Sequence, residues 1–250
     1  IKDAYVLRVG GYNFDKKNND INIPFYVGDL LDIYCNGNLA LRKKMNLPII
    51  GFSGWASLFL KQRLKTFIKE LPVVFTGLFI KKHRVIRKGI FFRKRAIKYL
   101  QSSELVGSNF NIRKSYSGHN STAEDSIQKL RQEFVDNLLN SDYGLCIRGD
   151  ANSSARFYEV LSMGRIPLFV DTDCILPMED KINYKDFCIF INHRNLKNIG
   201  KVLYNFHKKL SPKDFQNLQL RSREVFVKYL RTDSFTKYLM VTLSEISKKY

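Results

Sequence analysis

The sequence predicts an α/β fold built on a parallel sheet with flanking helices. Short apolar runs of strand length alternate with longer segments whose apolar residues recur at helical spacing. No internal repeat or low-complexity tract interrupts this alternation. With 250 residues, of which 44% are hydrophobic, the chain can bury a substantial core, either as one large domain or as two small ones.

The amino-terminal part of the chain predicts strands around one long helix. Residues 4–9 and 47–52 are apolar runs of strand length. Residues 60–71 place leucine and phenylalanine on one helical stripe, and Pro72 is expected to end that helix. The apolar run over residues 73–80 is then interpreted as a further strand.

The later elements follow the same alternation. Residues 105–112 predict a strand and residues 124–139 a helix, with Ser121 or Thr122 as its cap. Near the carboxyl end, one more strand and the terminal helices are predicted at residues 187–191, 196–210 and 218–248, with a further helix start at Ser211-Pro212.

Residues 141–177 organise the rest of the chain. Residues 143–147 are an apolar run that suits a buried parallel strand. Gly164 followed by Pro167 marks the end of the next helix, which is predicted over residues 155–163. The loop between strand and helix carries three good N-cap residues, Asn152, Ser153 and Ser154.

This helix has two faces. Phe157, Val160 and Leu161 share the spacing of a face that packs on the sheet, whereas Arg156 and Glu159 lie on another face. Arg156 sits in the first turn, where the helix dipole disfavours a cation. An anion sharing that space would explain the placement, because a helix amino terminus after a strand is a common phosphate site.

The spacing therefore suggests a pocket for a nucleotide diphosphate. Arg156 would add a forked pair of donors, Arg148 a second cation, and Glu159 would accept hydrogen bonds from the ribose hydroxyls. The alternative is an ion pair without a binding role. An arginine and a glutamate three positions apart on a helix usually form a solvated ion pair that contributes little to stability.

The string RGDANSSARFYEVLSMGRIPLFVDTDCILP resembles the signature of the exostosin-like glycosyltransferases, glycosyltransferase family 47. In that family an Arg-Gly loop precedes Arg-Phe-x-Glu and then Gly-x-(Ile/Val)-Pro. The resemblance implies that Arg156 binds the diphosphate and Glu159 the nucleoside. The match is dense over this stretch and thinner elsewhere, and the loop from Asp150 to Ser153 is closest to bacterial or viral members.

The resemblance also implies a GT-B fold, in which two Rossmann-like halves enclose a cleft and the carboxyl-terminal half holds the nucleotide-sugar. The acceptor half would be partial or reduced, because a complete enzyme of this type usually needs a longer chain. The implied division is a tail of the acceptor-side half or a linker at 1–45, a nucleotide-sugar-binding Rossmann-like domain at 46–225, and a C-terminal helix at 226–250 that packs back across the cleft.

Further donor-binding positions follow from the resemblance. The loop Ser53-Gly54-Trp55 matches a glycine-bearing loop beside the donor, although a plain turn with a core tryptophan would explain it equally well. Arg95 matches an arginine on the next helix, with Arg93 as a competing position, and Arg113 opens an Arg-x-x-Tyr-x-Gly pattern of bacterial relatives. The predicted donor site comprises Ser53, Gly54, Trp55, Arg95, Arg113, Arg148, Gly149, Asn152, Ser153, Ser154, Arg156 and Glu159.

The implied activity is an inverting, metal-independent transfer of a hexosyl or glycuronosyl group from a nucleotide-sugar, often a UDP-sugar, to an oligosaccharide or polysaccharide. No cofactor is expected besides this co-substrate. Asp171 and Asp173 form the only Asp-x-Asp pair, and because they lie away from the predicted phosphate site we expect a structural role for them.

Without a metal, Arg156 and Arg148 would stabilise the leaving diphosphate. The acceptor hydroxyl also needs a general base, which the sequence does not assign. Asp29, Asp32 and Asp150 are the candidates.

The formal charge of +19, from 42 Lys+Arg against 23 Asp+Glu, attracts polyanions such as nucleic acid, an anionic membrane or an acidic polysaccharide. Residues 81–98 are rich in basic residues and contain no acid. A basic amphipathic segment of this kind can lie on an anionic bilayer, although such a run is more often a solvated face. A basic nucleic-acid-binding protein is therefore one alternative, although no recognisable nucleic-acid-binding motif is present and no specific nucleic acid is expected. An inactive module that binds glycan or a partner subunit is another.

The chain has four cysteines, none in a Cys-x-x-Cys pair: Cys35, Cys146, Cys174 and Cys188. This pattern favours buried free thiols over the alternative of a disulfide or a zinc site. No apolar run of eighteen residues and no signal peptide is recognised. Asn152-Ser153-Ser154 is formally a glycosylation sequon, but a glycan at Asn152 would block the predicted pocket. These observations favour the cytoplasm, with peripheral contact at the inner face of the membrane as an extension.

Overall fold

A computed structural model describes residues 4–56, 60–113 and 126–248. The described strands are β1 (Val6–Arg8), β2 (Asp20–Asn22), β3 (Ile49–Trp55), β4 (Gly107–Arg113), β5 (Tyr143–Cys146), β6 (Ile166–Asp171) and β7 (Ile189–Asn192). The first two form a small parallel pair, and the other five form one sheet in the order β4-β3-β5-β6-β7. Every neighbouring pair in the large sheet is parallel, which confirms the predicted fold class.

The described α-helices are α1 (Leu30–Cys35), α2 (Leu60–Phe79), α3 (Gly89–Gln101), α4 (Ile127–Leu139), α5 (Ala155–Ser162), α6 (Ile199–Lys209), α7 (Pro212–Val225) and α8 (Thr232–Ser247). Parallel strands cannot be joined by tight hairpins, so each crossover carries a helix or a long connection. Helix α3 lies between β3 and β4, α4 between β4 and β5, and α5 between β5 and β6.

Two apolar cores cover the two faces of the sheet. Along β5 and β6 successive side chains alternate, so that Leu145 and Leu168 join one core while Cys146 and Phe169 join the other. Helices α3 and α6 supply the first core, and α1, α4, α5 and α8 supply the second. Helices on both faces make this a doubly wound, Rossmann-like sheet.

The strand order reverses between β3 and β5. From β3 the chain crosses to β4 on one side, and from β4 it returns to β5 on the other side. In sheets of this kind a crevice opens outside the carboxyl ends of the strands at the reversal. The end of β3 and the loop after β5 therefore lie beside each other, and they form the core of the site described below.

The predicted strand over residues 73–80 is wrong. Helix α2 continues through Pro72 as far as Phe79. Strand β3 already has β4 and β5 as neighbours, so a strand formed here would have no place beside it. Pro72 is exposed, and the hydroxyl of Thr76 donates to its carbonyl oxygen at 2.9 Å, inside the helix.

The start of α4 also differs from the prediction. The cap is Ser126, whose hydroxyl accepts a hydrogen bond from the backbone N–H of Lys129 at 3.2 Å. The predicted caps, Ser121 and Thr122, lie outside the described residues. The start predicted at Ser211-Pro212 is confirmed, because Ser211 and Asp214 form a reciprocal capping box with Pro212 at the first helical position.

The prediction of buried free thiols is confirmed for three of the four cysteines, whereas Cys35 is free but only partly buried. All four cysteines are free, and Cys146, Cys174 and Cys188 are buried. Among the described helices none is long and apolar enough to cross a membrane.

Candidate functional site

A cleft of about 790 Å³ lies at the carboxyl ends of β3, β4 and β5, where the strand order reverses. Of the twelve residues predicted to bind the donor, nine line it: Ser53, Gly54, Trp55, Arg113, Gly149, Ser153, Ser154, Arg156 and Glu159. The remaining three, Arg95, Arg148 and Asn152, do not. Phe25 also lines the cleft, although it belongs to the segment predicted as an acceptor-side tail or linker.

The buried guanidinium of Arg148 is used to hold the loop after β5. It donates to the hydroxyl of Tyr12 at 2.6 Å, to the carbonyl oxygen of Val85 at 2.8 Å and to that of Asp150 at 2.8 Å. Because these acceptors occupy it inside the protein, Arg148 positions the loop and does not face the cleft. The predicted contact of Arg148 with a leaving group therefore has no geometric support.

Asn152 has a similar positioning role. Its amide nitrogen donates to the carbonyl oxygens of Gly11 and Asp173, and its amide oxygen accepts from the hydroxyl of Thr172 at 2.6 Å. On the other side of the loop, a Cβ at Gly89 would overlap the carbonyl oxygen of Arg148. Glycine at that position lets the amino end of α3 pack directly against the loop.

Arg156, in the first turn of α5, is held against the end of β3. Its Nη2 donates to the carbonyl oxygen of Ser53 at 2.6 Å, and its guanidinium carbon lies 4.3 Å from the ring centre of Phe52. Burial lowers the pKa of Arg156, and its buried Nε has no hydrogen-bond partner among the described residues. Gly54 has a φ of +152°, and a Cβ there would lie 2.6 Å from Nη2 of Arg156, so glycine leaves room for the guanidinium.

Glu159, one turn further along α5, pairs with Arg131 of α4. The Arg131 Nη1 to Glu159 Oε1 distance is 2.7 Å. Burial acts to lower the pKa of Arg131, but the charge and hydrogen bond of Glu159 outweigh it, so the pKa is raised. The sequence analysis missed Arg131. Its position beside the apolar stripe of α4, immediately after Leu130 and three residues before Phe134, was the available signal.

The other cleft arginines come from α3 and β4. Arg93 donates to the carbonyl oxygen of Trp55 at 3.2 Å, whereas Arg95 lies at a second, smaller pocket. Arg93 and Arg95 are two residues apart, which places their side chains about 200° apart around the helix axis. Only one of the two can therefore face the cleft. Arg113 pairs with Glu133 at 2.6 Å and donates to the hydroxyl of Ser53 at 3.3 Å.

Four arginines from four different elements therefore line one cleft: Arg93, Arg113, Arg131 and Arg156. Among the residues that the structure describes, Asp150 and Glu159 are the carboxylates that line it. The loop residues Ser153 and Ser154 bring the amino end of α5 to the same space, where the first backbone N–H groups of a helix lack partners within the helix. This arrangement suits an anion with several negatively charged oxygens.

Two of the three candidate bases lie elsewhere. Asp29 and Asp32 pair with Arg223, which also donates to the carbonyl oxygen of Ser162 at the far end of α5. Their pairing with Arg223 explains them structurally and removes them from the cleft. Of the three, Asp150 alone lines the cleft, and its side chain is exposed.

The Asp-x-Asp pair has the structural geometry that was expected. Asp171 Oδ1 accepts from the backbone N–H groups of Asp173 and Cys174, which closes the turn after β6. In the part of the chain that the structure describes, no group of three His, Cys, Asp or Glu residues could hold a metal ion.

The carboxyl-terminal segment lies away from the cleft. Phe235 and Leu239 of α8 join the core that contains Leu30 and Leu31. None of the residues lining the cleft comes from residues 226–248. This segment was predicted to pack back across the cleft. Its described residues line no part of the cleft and pack on the core instead.

Fold and site together define a doubly wound α/β domain. Its basic cleft lies where the strand order reverses, and the amino end of α5 forms part of the cleft wall. A model of the exostosin GT47 domain matches residues 69–206, which is more than half of the chain. The chain therefore belongs to the exostosin GT47 family. The matched segment contains all four cleft arginines.

Individual relatives match over shorter segments. An exostosin-1 homolog of Caenorhabditis elegans is 29% identical over 108 residues, which cover 43% of this chain and 27% of that protein. Exostosin-1 of Drosophila melanogaster is 32% identical over 80 residues, covering 32% of this chain and 10% of that protein. A probable glycosyltransferase of Arabidopsis thaliana is 23% identical over 92 residues, covering 37% and 17%. The matches thus span about a quarter or less of these relatives' own length.

Among solved structures, a crystal structure of TarM aligns with a TM-score of 0.42 and 13% identity, over 90% of this chain and 39% of that one. A Staphylococcus aureus TarM mutant in complex with fondaparinux, alpha-GlcNAc-glycerol and UDP aligns with a TM-score of 0.45 and 10% identity, over 91% and 40%.

Proposed function

We propose that this chain is the donor-binding part of a glycosyltransferase, of GT-B type, that moves a sugar from a nucleotide diphosphate to a glycan acceptor. The donor class is a UDP-sugar, and the transfer is inverting and independent of metal. The observation that carries the proposal is the convergence of four arginines and the amino end of α5 on one cleft at the switch point. Membership of the exostosin GT47 family supports it.

In this proposal the diphosphate lies at the amino end of α5. Arg156 is held there by its bond to Ser53, and the backbone of Ser153 and Ser154 lines the same space. Glu159 then binds the ribose, because Arg131 holds one of its carboxylate oxygens and, among the described residues, the other oxygen is left for hydroxyl donors. Apolar residues on the α4 side of the cleft provide a surface for the nucleobase of the donor: Ile127, Leu130 and Phe134.

The chemistry proposed for the cleft is displacement at the anomeric carbon. The acceptor oxygen forms a bond to that carbon as the bond to the diphosphate oxygen breaks, and the diphosphate leaves with additional negative charge. Arg156, with Arg93 and Arg113 nearby, provides fixed positive charge for the leaving group, the role that a divalent cation has in other enzymes.

A general base must accept the proton of the acceptor hydroxyl. Asp150 is the one of the three candidate carboxylates that lines the cleft, and its side chain is exposed. We therefore propose Asp150 as the base in preference to Asp29 and Asp32.

The single tryptophan of the chain, Trp55, lines the cleft and serves as the fluorescence probe for a binding experiment. Titration of the protein with UDP, UMP, GDP and ADP, followed by Trp55 fluorescence with and without EDTA, tests the proposal. We expect UDP to bind more tightly than UMP, because the arginines contact the second phosphate, and we expect EDTA to change nothing.

A matched pair of variants serves as the control for this titration. Arg93→Gln should weaken UDP binding, whereas Arg95→Gln, on the same helix but outside the cleft, should leave it unchanged. Absence of binding by any nucleotide would refute the donor site. Binding that disappears on chelation would refute metal independence alone.

A further inference from the structure

The outer face of α2 is apolar and exposed. Ile68 is 56% exposed, Phe75 65% and Phe79 76%, and they lie along one side of the helix with Leu71 and Leu78. Phe75 and Phe79 contact each other edge to face at 5.8 Å between ring centres. A continuous apolar stripe of this kind on a protein surface marks an interaction site more often than a solvated face.

The opposite face of α2 fixes the helix to the protein. Glu70 is buried, and its carboxylate accepts from the backbone N–H of Lys88 at 2.7 Å and pairs with Arg87 at 3.3 Å. Val73 and Val74, on the same side as Glu70, line a pocket together with Phe92 of α3. Because this inner face is anchored, the apolar stripe is held facing outward.

Positive charge adjoins the stripe. The pocket beside α2 has a volume of about 260 Å³ and is lined by three arginines, Arg87, Arg95 and Arg194. Arg87 is paired with the buried Glu70, so the net positive charge at this pocket comes from Arg95 and Arg194. Leu78 belongs both to this pocket and to the exposed stripe, so the apolar and basic surfaces are continuous. Lys82 and Lys88 are exposed in the adjoining segment.

We propose that the α2 surface, defined as the apolar stripe with the rim of Arg87, Arg95 and Arg194, docks on an anionic phospholipid membrane. The side chains of Phe75 and Phe79 would enter the boundary between headgroups and acyl chains, and the arginines would bind lipid phosphates. Charge complementarity favours this occupant, since the chain carries a formal charge of +19 and Arg95 and Arg194 leave the rim with a net positive charge beside the Arg87–Glu70 pair.

Helix α3 connects this surface to the cleft. Arg93 lines the cleft and Arg95 lines the basic rim, so the two sites lie on different sides of one helix. Docking through α2 therefore brings the cleft close to the membrane surface. The inference does not depend on the identity of the ligand in the cleft.

Vesicle sedimentation tests the proposal directly. We expect binding to vesicles of phosphatidylcholine with phosphatidylglycerol, little binding to phosphatidylcholine alone, and weaker binding at high salt. Phe75→Gln with Phe79→Gln should reduce partitioning by about tenfold or more. Met240→Gln with Val241→Gln, which changes two exposed apolar residues of α8, is the matched control and should have no effect.

The basic rim is tested in the same assay. Arg95→Gln with Arg194→Gln should weaken partitioning by about tenfold or more, because each basic residue contributes roughly 1 kcal/mol to binding at an anionic surface. Lys208→Gln with Lys209→Gln removes the same charge from exposed positions on α6 and should have a clearly smaller effect.

Three results would overturn the proposal. The first is equal binding to neutral and anionic vesicles, and the second is partitioning that the phenylalanine variants leave unchanged. The third is a protein that does not bind vesicles but forms a dimer, which the phenylalanine variants convert to monomer. The last result would identify a second copy of the chain as the occupant. Circular dichroism and a cooperative urea unfolding transition confirm that each variant is folded, and Phe79→Gln alone is the milder substitution.

Discussion

Arg156 shows how the site depends on a single side chain with two anchors. The carbonyl oxygen of Ser53 accepts one of its N–H groups, the ring of Phe52 lies beneath its guanidinium, and its Nε is buried without a hydrogen-bond partner among the described residues. A buried donor of this kind costs free energy unless an acceptor reaches it. A phosphate oxygen in the cleft is such an acceptor.

Loss of Arg156 should therefore affect turnover most. We expect Arg156→Ala to lower turnover by roughly two to three orders of magnitude, the effect typical of one lost donor to a developing negative charge. Arg156→Lys should restore only part of this, because an ammonium cannot replace the planar fork. Steady-state kinetics with the donor found in the nucleotide titration measures both.

Glu159→Gln provides the contrast for this prediction. It should weaken nucleotide binding by about 1–3 kcal/mol in calorimetry, the cost of losing a charged hydrogen bond, with a smaller effect on turnover. Arg131→Gln should act through the same ion pair, so the double variant should lose less than the sum of the two. If the Arg156 and Glu159 variants both retain the parent's binding and turnover, the site assignment is wrong.

At the scale of elements, α2 is a helix that local signals predict to end early. Pro72 lacks an N–H and cannot donate to the carbonyl oxygen of Ile68, which is the ordinary reason for a helix to stop. The helix continues because its inner face is held on both sides of Pro72, by Glu70 before it and by Val73 and Val74 after it.

Pro72→Ala tests this description of α2. Alanine restores the missing donor within the helix, so we expect greater protection of the amides of residues 73–79 from hydrogen exchange, from a local gain of up to about 3 kcal/mol. Pro212→Ala is the matched control, because Pro212 lies at the first position of α7, where its N–H would not be used. If residues 73–79 formed a strand, Pro72→Ala would bring no such gain.

At the scale of the whole molecule, a buried polar network joins the sheet to the helices that follow it. The hydroxyl of Tyr143 in β5 lies 2.9 Å from Nδ1 of His207 in α6, and Nε2 of His207 lies 2.7 Å from the carbonyl oxygen of Met45. Burial lowers the pKa of His207 below its ordinary value of 6.5. At neutral pH the ring of His207 in the folded protein is therefore neutral.

This network predicts loss of stability in mild acid. Because the unfolded chain binds the proton at a higher pH than the folded one, the free energy of unfolding should fall as the pH drops below about 6.5, and it should level off below the lowered pKa of the folded state. Burial lowers the pKa of His193 as well, in the same direction.

Urea unfolding between neutral and mildly acidic pH measures this effect. His207→Gln should lower stability at neutral pH, since it disturbs both bonds of the ring, and should flatten the slope below pH 6.5. A His207→Gln profile that ran parallel to that of the parent would contradict the role assigned to this histidine.

The sequence by itself determined the parallel α/β fold and the central part of the site. Alternating short apolar runs predict buried strands, and the spacing of Phe157, Val160 and Leu161 fixes which face of α5 is buried. Arg156 and Glu159 must then lie on the other face, towards the carboxyl end of the sheet. Such inferences succeed because helix and strand periodicity depend on residues close together in the chain.

Only the tertiary structure decided what each remaining polar residue contacts. Arg93 faces the cleft and Arg95 does not, Arg148 is engaged by Tyr12 and Val85, and Arg131 reaches Glu159 from another helix. Each of these partners lies far away in the sequence. Local periodicity determines on which face of a helix or strand a side chain lies. The packing of elements that are distant in the sequence determines whether that face contacts a hydrogen-bond acceptor, a carboxylate or the open cleft.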